Sequence, residues 1–156
     1  MDLTPKLNLP PIKARLRRVD GVPQIWDSLR GMWLVLTPEE WVRRHAVGLL
    51  AATLGYDEGH ISQEVAVDMH GADQRADIVT YDAEGQPVIV CECKAPDIKI
   101  ADDSVLSQAV RYNYILGAPA LMLTNGFQTL VYECCEGRYR AISPAEFVAR
   151  YSVPKR

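Results

Sequence analysis

The stretch that decides the fold is RADIVTYDAEGQPVIVCECKAP, residues 75–96. It contains two runs, RADIVTY and PVIVCECK, that are rich in the β-branched and aromatic residues that favour strands. The segment DAEGQ between them contains turn-forming residues. We therefore predict two antiparallel strands joined by a tight turn. The charged residues Asp77, Glu92 and Lys94 stand out because a core strand pair does not need them in order to fold.

The register of this strand pair decides whether the two acids meet. If Tyr81 faces Val88, Asp77 lies directly opposite Glu92, with Cβ atoms about 4.5–5.5 Å apart. Lys94 shares the face of Glu92 because side chains alternate with a period of two. A slip of one residue would place the acids on opposite faces, so this register is a specific prediction.

Two carboxylates at about 5 Å repel each other by roughly 3 kcal/mol at an effective dielectric constant near 20. A neighbouring cation is therefore expected. Lys94 or Arg75 would give a structural ion cluster, whereas a divalent metal would give a phosphodiesterase site. Mg²⁺ binds carboxylate oxygens, and a bound metal activates water and stabilises charge on a phosphate. Lys94 could orient that water, and the main-chain carbonyl of Cys93 is a further candidate ligand.

The pattern resembles that of the PD-(D/E)xK nuclease superfamily, with Asp77 as the first acid and Glu92-Cys93-Lys94 as the E-x-K element. Ala76 stands where that superfamily usually has proline. More specifically, the chain looks like the N-terminal nuclease domain of type I restriction enzyme R (HsdR) subunits. The stretches that carry this likeness are LTPEEWVRRH, RADIVTYDAEGQPVIVCECKAP, SQAVRYN and LTNG, in that order along nearly the whole chain.

The resemblance implies a Mg²⁺ cofactor, for which Mn²⁺ substitutes, with Asp77 and Glu92 as ligands and Lys94 as the catalytic cation. It implies that Gln108 and Tyr112, a Q-x3-Y element, support the site or a DNA phosphate. These two residues lie one helical turn apart. The alternative is that Tyr112 belongs to the core and Gln108 covers its edge. Glu64 is a further candidate metal ligand.

The function expected from this resemblance is a metal-dependent DNA endonuclease of a restriction-modification system. The sequence contains no G-x4-G-K-[ST] phosphate loop, so the chain cannot translocate DNA by itself. It is expected to be either a freestanding small nuclease or a module that depends on a helicase or translocase and specificity subunits in trans. No base-reading motif is present, so cleavage should be sequence-nonspecific. Double-strand cutting needs two sites, which suggests a homodimer or paired action. The alternatives are a catalytically idle interaction module with the nuclease fold, and a nuclease acting on RNA or branched DNA.

Outside the central stretch, the chain predicts an ordered series of elements. These are an N-terminal β-hairpin around Asp20-Gly21, a helix, three strands, a helix, two strands and a short helix beginning at Ser143-Pro144. The expected fold class is α/β (α+β), with a mixed central sheet flanked by helices and a restriction-endonuclease-like core. We expect one domain over residues 1–156, with residues 1–11 as an extended arm.

The helix expected over residues 36–55 has the clearest local signals. Thr37 fits the N-cap, Pro38 the first helical position, and Glu40 the third position of a capping box. The predicted buried stripe is Val42, Ala46, Leu49, Leu50 and Thr53, which would leave Arg43 and Arg44 on the opposite, exposed side.

A basic stripe is expected on the first strand of the N-terminal hairpin. Lys13, Arg15 and Arg17 would share one face by the strand period of two. They are candidates for DNA phosphate contacts, although such a stripe is also typical of a solvated sheet face.

Composition limits the remaining possibilities. The chain has 156 residues and a formal net charge of −3, which argues against a tight standalone DNA binder but is compatible with an acidic metal site. No apolar run is long enough for a membrane span, and no secretory signal precedes the first strand, so we expect a cytoplasmic protein without membrane contact. The four cysteines are expected to be reduced core residues rather than a thiolate metal site.

Overall fold

The structure, a computed structural model, describes residues 1–69 and 71–155. Its nine strands and three α-helices follow one another along these residues as β1 (Leu16–Val19), β2 (Val22–Asp27), β3 (Met32–Val35), α1 (Pro38–Gly48), β4 (Ile61–Met69), β5 (Ala72–Tyr81), β6 (Pro87–Cys93), α2 (Asp103–Leu116), β7 (Ala120–Thr124), β8 (Thr129–Cys135), β9 (Arg138–Ile142) and α3 (Pro144–Tyr151). A π-helical segment, Leu49–Thr53, continues α1, and a short 3₁₀ turn, Glu58–His60, precedes β4.

The central sheet contains six strands in the order β4-β5-β6-β7-β8-β9. Neighbouring strands are antiparallel except β6 and β7, which are parallel. A parallel pair needs a long crossover connection, and α2 supplies it. The predicted mixed sheet flanked by helices is confirmed.

Apolar side chains fill both sides of this sheet. On one side Ile78, Ile89 and Cys91 pack with residues of α1 and α3, including Val42 and Phe147. On the other side α2 covers the sheet through the buried side chains Val105, Ala109 and Tyr112, which pack against Val79 and Val90. Each face of β6 therefore meets a different helix.

Two strands extend the predicted order. The N-terminal hairpin gains a third strand, β3, and forms a separate sheet in the order β1-β2-β3. The last pair gains β9, which pairs with β8. The predicted turn at Asp20-Gly21 is confirmed, because both residues have positive φ, +50° and +80°, as a type I′ turn requires.

Helix α1 begins as predicted. Thr37 is the N-cap, and its hydroxyl accepts a hydrogen bond from the Glu40 N–H at 3.0 Å. The predicted stripe is correct at Val42, Ala46 and Leu50, which are buried, but wrong at Thr53, which is exposed. The π-helical segment explains this difference, because the changed number of residues per turn rotates later side chains away from the expected face.

Residues 1–11 contain neither helix nor strand, and they pack on the domain. Leu7 is buried against the core, and the Asn8 N–H donates to the Gly126 carbonyl at 2.8 Å. The Trp41 indole donates to the Pro5 carbonyl at 2.8 Å. The extended arm therefore lies over α1 and the loop after β7.

The four cysteines do not behave as one group. Cys91 and Cys93 are buried, as expected for core residues, whereas Cys134 is half-buried and Cys135 is exposed. The core prediction is therefore wrong for Cys135. In residues 1–69 and 71–155, no helix has both the length and the apolar composition needed to cross a lipid bilayer.

Candidate active site

The register of β5 and β6 brings the two predicted acids together. Ile78 pairs with Cys91 and Thr80 with Ile89, and one further step in the same register places Asp77 opposite Glu92. The Asp77 N–H donates to Glu92 Oε1 at 3.2 Å.

The strand ends near the turn differ from the prediction. Tyr81 pairs with Pro87, not with Val88, because the ladder is irregular between Thr80 and Tyr81. The irregularity lies on the turn side of Thr80, so it leaves the register at the acids as expected.

The Asp77 carboxylate links the middle of β5 to the end of β6. Its Oδ2 accepts a hydrogen bond from the Cys93 N–H at 2.7 Å. Asp77 keeps 16% of its side chain exposed, whereas Glu92 is 2% exposed as a residue. Asp77 is thus the more accessible of the two acids.

Glu92 and Lys94 lie on the α2 side of β6. Val90 packs with the α2 residues, and side chains two and four positions further along a strand share its face. Lys94 Nζ donates to Gln108 Oε1 at 3.2 Å. Helix α2 therefore holds the lysine beside the two acids.

The predicted Q-x3-Y pair is part of one hydrogen-bonded chain. Gln108 Nε2 donates to the Tyr112 hydroxyl at 2.7 Å, and that hydroxyl donates to Gln74 Oε1 on β5 at 3.2 Å. Tyr112 is also buried in the core, 2% exposed. The two interpretations of this pair are therefore compatible: a core tyrosine fixes the glutamine that contacts Lys94.

The expected exposed position of Arg43 and Arg44 is wrong. Both residues are only 7% exposed, because Arg43 lies beside Asp77 of β5 and Arg44 lies beside Asp27 of β2 and Gln63 of β4. Arg43 Nη2 lies 3.2 Å from Asp77 Oδ1, and Nη1 contacts Glu40. The cation paired with Asp77 in the structure is therefore Arg43, which the sequence analysis missed.

Arg43 belongs to a larger buried charge network. Glu40 Oε1 lies 3.2 Å from Arg44 Nε, and Arg44 Nη1 lies 2.8 Å from Oδ1 of the fully buried Asp27 at the end of β2. Arg30, in the following turn, contacts Asp27 Oδ2 at 2.5 Å. Ion pairs thus connect the N-terminal sheet through α1 to Asp77. The predicted capping box is incomplete, since the Glu40 carboxylate joins this network.

Glu39 is another acid that the sequence analysis did not select for the site. It lines a cleft of about 680 Å³ together with Lys94, Ser104, Gln108 and Arg111. Its pKa is raised by partial burial and by the negative charge of Asp77. The sequence did not mark Glu39 as a site residue, because acidic residues are common in the first turn of a helix, where they interact favourably with the helix dipole.

The acidity of the buried Glu92 carboxyl group is strongly perturbed. Burial and the negative charge of Asp77 raise its pKa from 4.5 to about 8. Without a metal, Glu92 is therefore largely protonated at neutral pH. A cation bound beside Asp77 would favour the ionised form.

A pH-dependent stability follows from this shift. The native state holds the Glu92 proton that the unfolded state has already lost, so the free energy of unfolding should fall as pH rises from about 4.5 to 8. The loss is a few kcal/mol, at about 1.4 kcal/mol per pKa unit. We expect Glu92→Gln to remove this dependence. Urea unfolding of wild type and Glu92→Gln in EDTA between pH 5 and 9 measures this dependence. If the free energy of unfolding changes equally with pH in the two proteins, Glu92 is not the group responsible.

Glu64 lies on β4 next to Asp77 but points elsewhere. Its neighbours Gln63 and Val65 pair with Ile78 and Ala76, which places Glu64 opposite Asp77. Its φ is +50°, and its Oε2 contacts Arg30 Nη1 at 3.1 Å. In this arrangement its carboxylate pairs with the N-terminal sheet.

The predicted basic stripe is only partly a strand face. Arg17 is in β1, whereas Lys13 and Arg15 precede it. The Arg15 guanidinium lies 5.0 Å from the Trp26 ring centroid, and the Arg17 guanidinium lies 4.2 Å from that of Trp33. Arg17 Nε also donates to Gln24 Oε1 at 2.6 Å. The two arginines thus cover the tryptophans of the N-terminal sheet.

The donor set at Asp77 and Glu92 fits a hard divalent cation. Both side chains offer carboxylate oxygens from neighbouring strands, and burial together with the negative charge of Asp77 raises the pKa of Glu92, an effect that a bound cation would oppose. Within the part of the chain that the structure describes, no group of three His, Cys, Asp or Glu side chains is arranged to hold a metal. Mg²⁺ commonly binds one or two carboxylates and retains several waters, so two acids suffice.

Comparisons with known proteins agree with this fold. Residues 38–144, more than half of the chain, match the family described as type I restriction enzyme R protein N terminus. A solved fragment structure assigned to the HsdR subunit of a type I restriction enzyme from Vibrio vulnificus YJ016 has a TM-score of 0.53 and 20% sequence identity. The match covers 69% of this chain and 23% of that chain. Among curated proteins, none matches this chain.

The mixed six-stranded sheet lies between α1 and α2 and carries Asp77 within β5 and Glu92 and Lys94 at the end of β6. It defines an α+β domain with a nuclease-like fold. The chain belongs to the family of type I restriction enzyme R protein N-terminal domains.

Proposed function

We propose that this domain is a Mg²⁺-dependent endonuclease that hydrolyses DNA phosphodiester bonds without its own sequence readout. The observation that carries the proposal is the contact of Asp77 and Glu92 across β5 and β6, with Lys94 on the same face. Asp77, Glu92 and the main-chain carbonyl of Cys93 would hold the metal, and Mn²⁺ would substitute for it. The bound metal would supply activation of water and neutralisation of phosphate charge.

The roles of the other side chains follow from their contacts. Lys94 places a positive charge beside the two acids, and its Nζ donates a hydrogen bond to Gln108 Oε1 at 3.2 Å. It is suited to orient the attacking water and to offset negative charge that develops on the phosphate. Gln108 and Tyr112 restrict the lysine to this position, since an oriented donor loses less freedom during the reaction.

Further DNA contacts and partners belong to the same proposal. Arg15 and Arg17 lie on the outer side of the N-terminal sheet without a carboxylate contact among the described residues, and with Lys13 they would meet DNA phosphates. Family membership supports action within a type I restriction complex, with helicase or translocase and specificity subunits supplied in trans. We place that complex in the cytoplasm and expect paired action, as in a homodimer, for double-strand cutting.

A specific observation favours a second candidate. Arg43 already neutralises Asp77 at 3.2 Å, so the acids do not need a metal for the fold to persist. On this alternative, the domain is an idle module that docks other restriction subunits.

Metal binding separates the two candidates. We expect Mn²⁺ to bind the wild type and Asp77→Asn to weaken that binding at least about tenfold, because a coordinating carboxylate is replaced by a neutral amide. Isothermal titration with Mn²⁺ measures this, and Asp82→Asn in the β5–β6 turn is the matched control. Equal Mn²⁺ affinity in wild type and Asp77→Asn would favour the idle module.

A further inference from the structure

Arg111 lies at the edge of the catalytic cleft and has no role in the site described above. It is exposed on α2 and lines the 680 Å³ cleft that also contains Lys94 and Gln108. Arg111 follows Gln108 by three positions, so the two side chains lie about one turn apart on the same side of α2. Gln108 holds Lys94, which places Arg111 next to the catalytic cation along the helix.

Among the side chains that the structure describes, no carboxylate forms an ion pair with Arg111. By contrast, Arg43 and Arg44 on α1 each contact two or more acids. Elsewhere in the cleft, Lys94 Nζ donates to the neutral Gln108 amide. The cleft therefore contains two cationic groups, Lys94 and Arg111, and one carboxylate, that of Glu39.

A second cleft begins at the same residue. Arg111 also lines a cavity of about 600 Å³ with Met69, Tyr114 and Ile115. Arg111 is the residue shared by these two clefts, so a nucleic-acid strand that passes Lys94 in the first cleft and continues along α2 into the second must pass its guanidinium. The second cleft also contains Asp68, which disfavours a further phosphate there.

We propose that Arg111 forms a phosphate-binding subsite that holds the phosphodiester next to the scissile one. This inference rests on the proposed function. The guanidinium offers paired N–H donors that match two phosphate oxygens. Arg111 would contact only the sugar-phosphate backbone of the nucleic acid and not the bases, so its effect on binding would be the same for every base sequence. It would fix the strand along α2 and thereby place the scissile phosphate at Asp77 and Lys94.

Arg111→Gln tests the subsite, with Arg138→Gln as the matched control. Arg138 is an exposed arginine at the start of β9, on the opposite edge strand of the sheet from β4. Binding of a fluorescent duplex is measured by anisotropy with Mg²⁺ in an Asp77→Asn background, so that the strand is not cut. We expect Arg111→Gln to weaken binding about threefold to tenfold and to lower the salt slope by about 1.

The other outcomes each decide the inference. Arg138→Gln should change affinity less than twofold, and a similar small effect of Arg111→Gln would overturn the subsite. In the cleaving protein, Arg111→Gln should raise KM more than it lowers kcat. An RNA duplex of the same sequence distinguishes the source of the phosphate. Cleavage and binding that persist unchanged in Arg111→Gln refute the subsite alone, whereas a wild type that neither binds nor cuts nucleic acid refutes the proposed function as well.

Discussion

Lys94→Ala is expected to lower DNA cleavage about a hundredfold to a thousandfold while the domain stays folded. A positioned donor that stabilises developing charge commonly contributes a factor of this size. Lys94 is half-buried, and its side chain donates to Gln108 rather than to a carboxylate, so its removal breaks no ion pair and takes only a nearby positive charge from Glu92 and Glu39. The measurement is the initial rate of plasmid nicking with Mg²⁺, with circular dichroism of each protein as the folding check.

Two comparisons make this result specific to Lys94. Lys99→Ala removes an exposed lysine from the loop between β6 and α2 and should leave the cleavage rate within about twofold. Mn²⁺ binding should be retained in Lys94→Ala, since the lysine is not a ligand. A cleavage rate of Lys94→Ala close to that of wild type would exclude the lysine from the chemistry.

Arg43→Met is expected to lower the free energy of unfolding by about 3–5 kcal/mol. Removing one member of a buried ion pair leaves the remaining charges without compensation. Arg43 is 7% exposed and contacts Glu40 and Asp77, and burial and these acids act oppositely on its pKa, with a net increase. The substitution therefore leaves two acids facing each other. Urea unfolding at pH 7 in EDTA measures the loss.

The double variant Arg43→Met/Glu40→Gln provides the control. Neutralising Glu40 removes one of the uncompensated charges, so stability should partly recover relative to Arg43→Met. An Arg43→Met protein within about 1 kcal/mol of wild type would show that the buried network does not hold α1 to Asp77. Added Mn²⁺ should stabilise Arg43→Met more than wild type, because the metal then supplies the missing positive charge.

The central part of the fold could be predicted because its signals are local. Strand alternation and a short turn set the register that pairs Asp77 with Glu92, and helical periodicity places Gln108 next to Tyr112. Thr37 and Pro38 mark the start of α1 in the same way. In each of these cases the residues belong to one helix or one hairpin, so their spacing in the sequence determines how close they are in the structure.

The charge network could not be predicted because its partners come from distant elements. Arg43 and Arg44 are outside the apolar stripe of α1, and they are buried by residues of other elements, Arg43 beside Asp77 of β5 and Arg44 beside Asp27 of β2. The positive φ of Glu64 and its contact with Arg30 likewise depend on how β4 meets that sheet. The periodicity of apolar residues and the composition of the chain do not indicate contacts between distant elements. The sequence therefore did not show that the side of α1 with Arg43 and Arg44 is buried beside the candidate site.

The most direct test of the account is cleavage of supercoiled plasmid by the wild-type chain with Mg²⁺, with Mn²⁺ and with EDTA. Asp77→Asn is assayed beside it, and both proteins are first shown to be folded. The account predicts nicked or linear DNA with either metal, none with EDTA, and none with Asp77→Asn. Intact plasmid after incubation of the folded wild type with both metals, or equal cutting by Asp77→Asn, would contradict it.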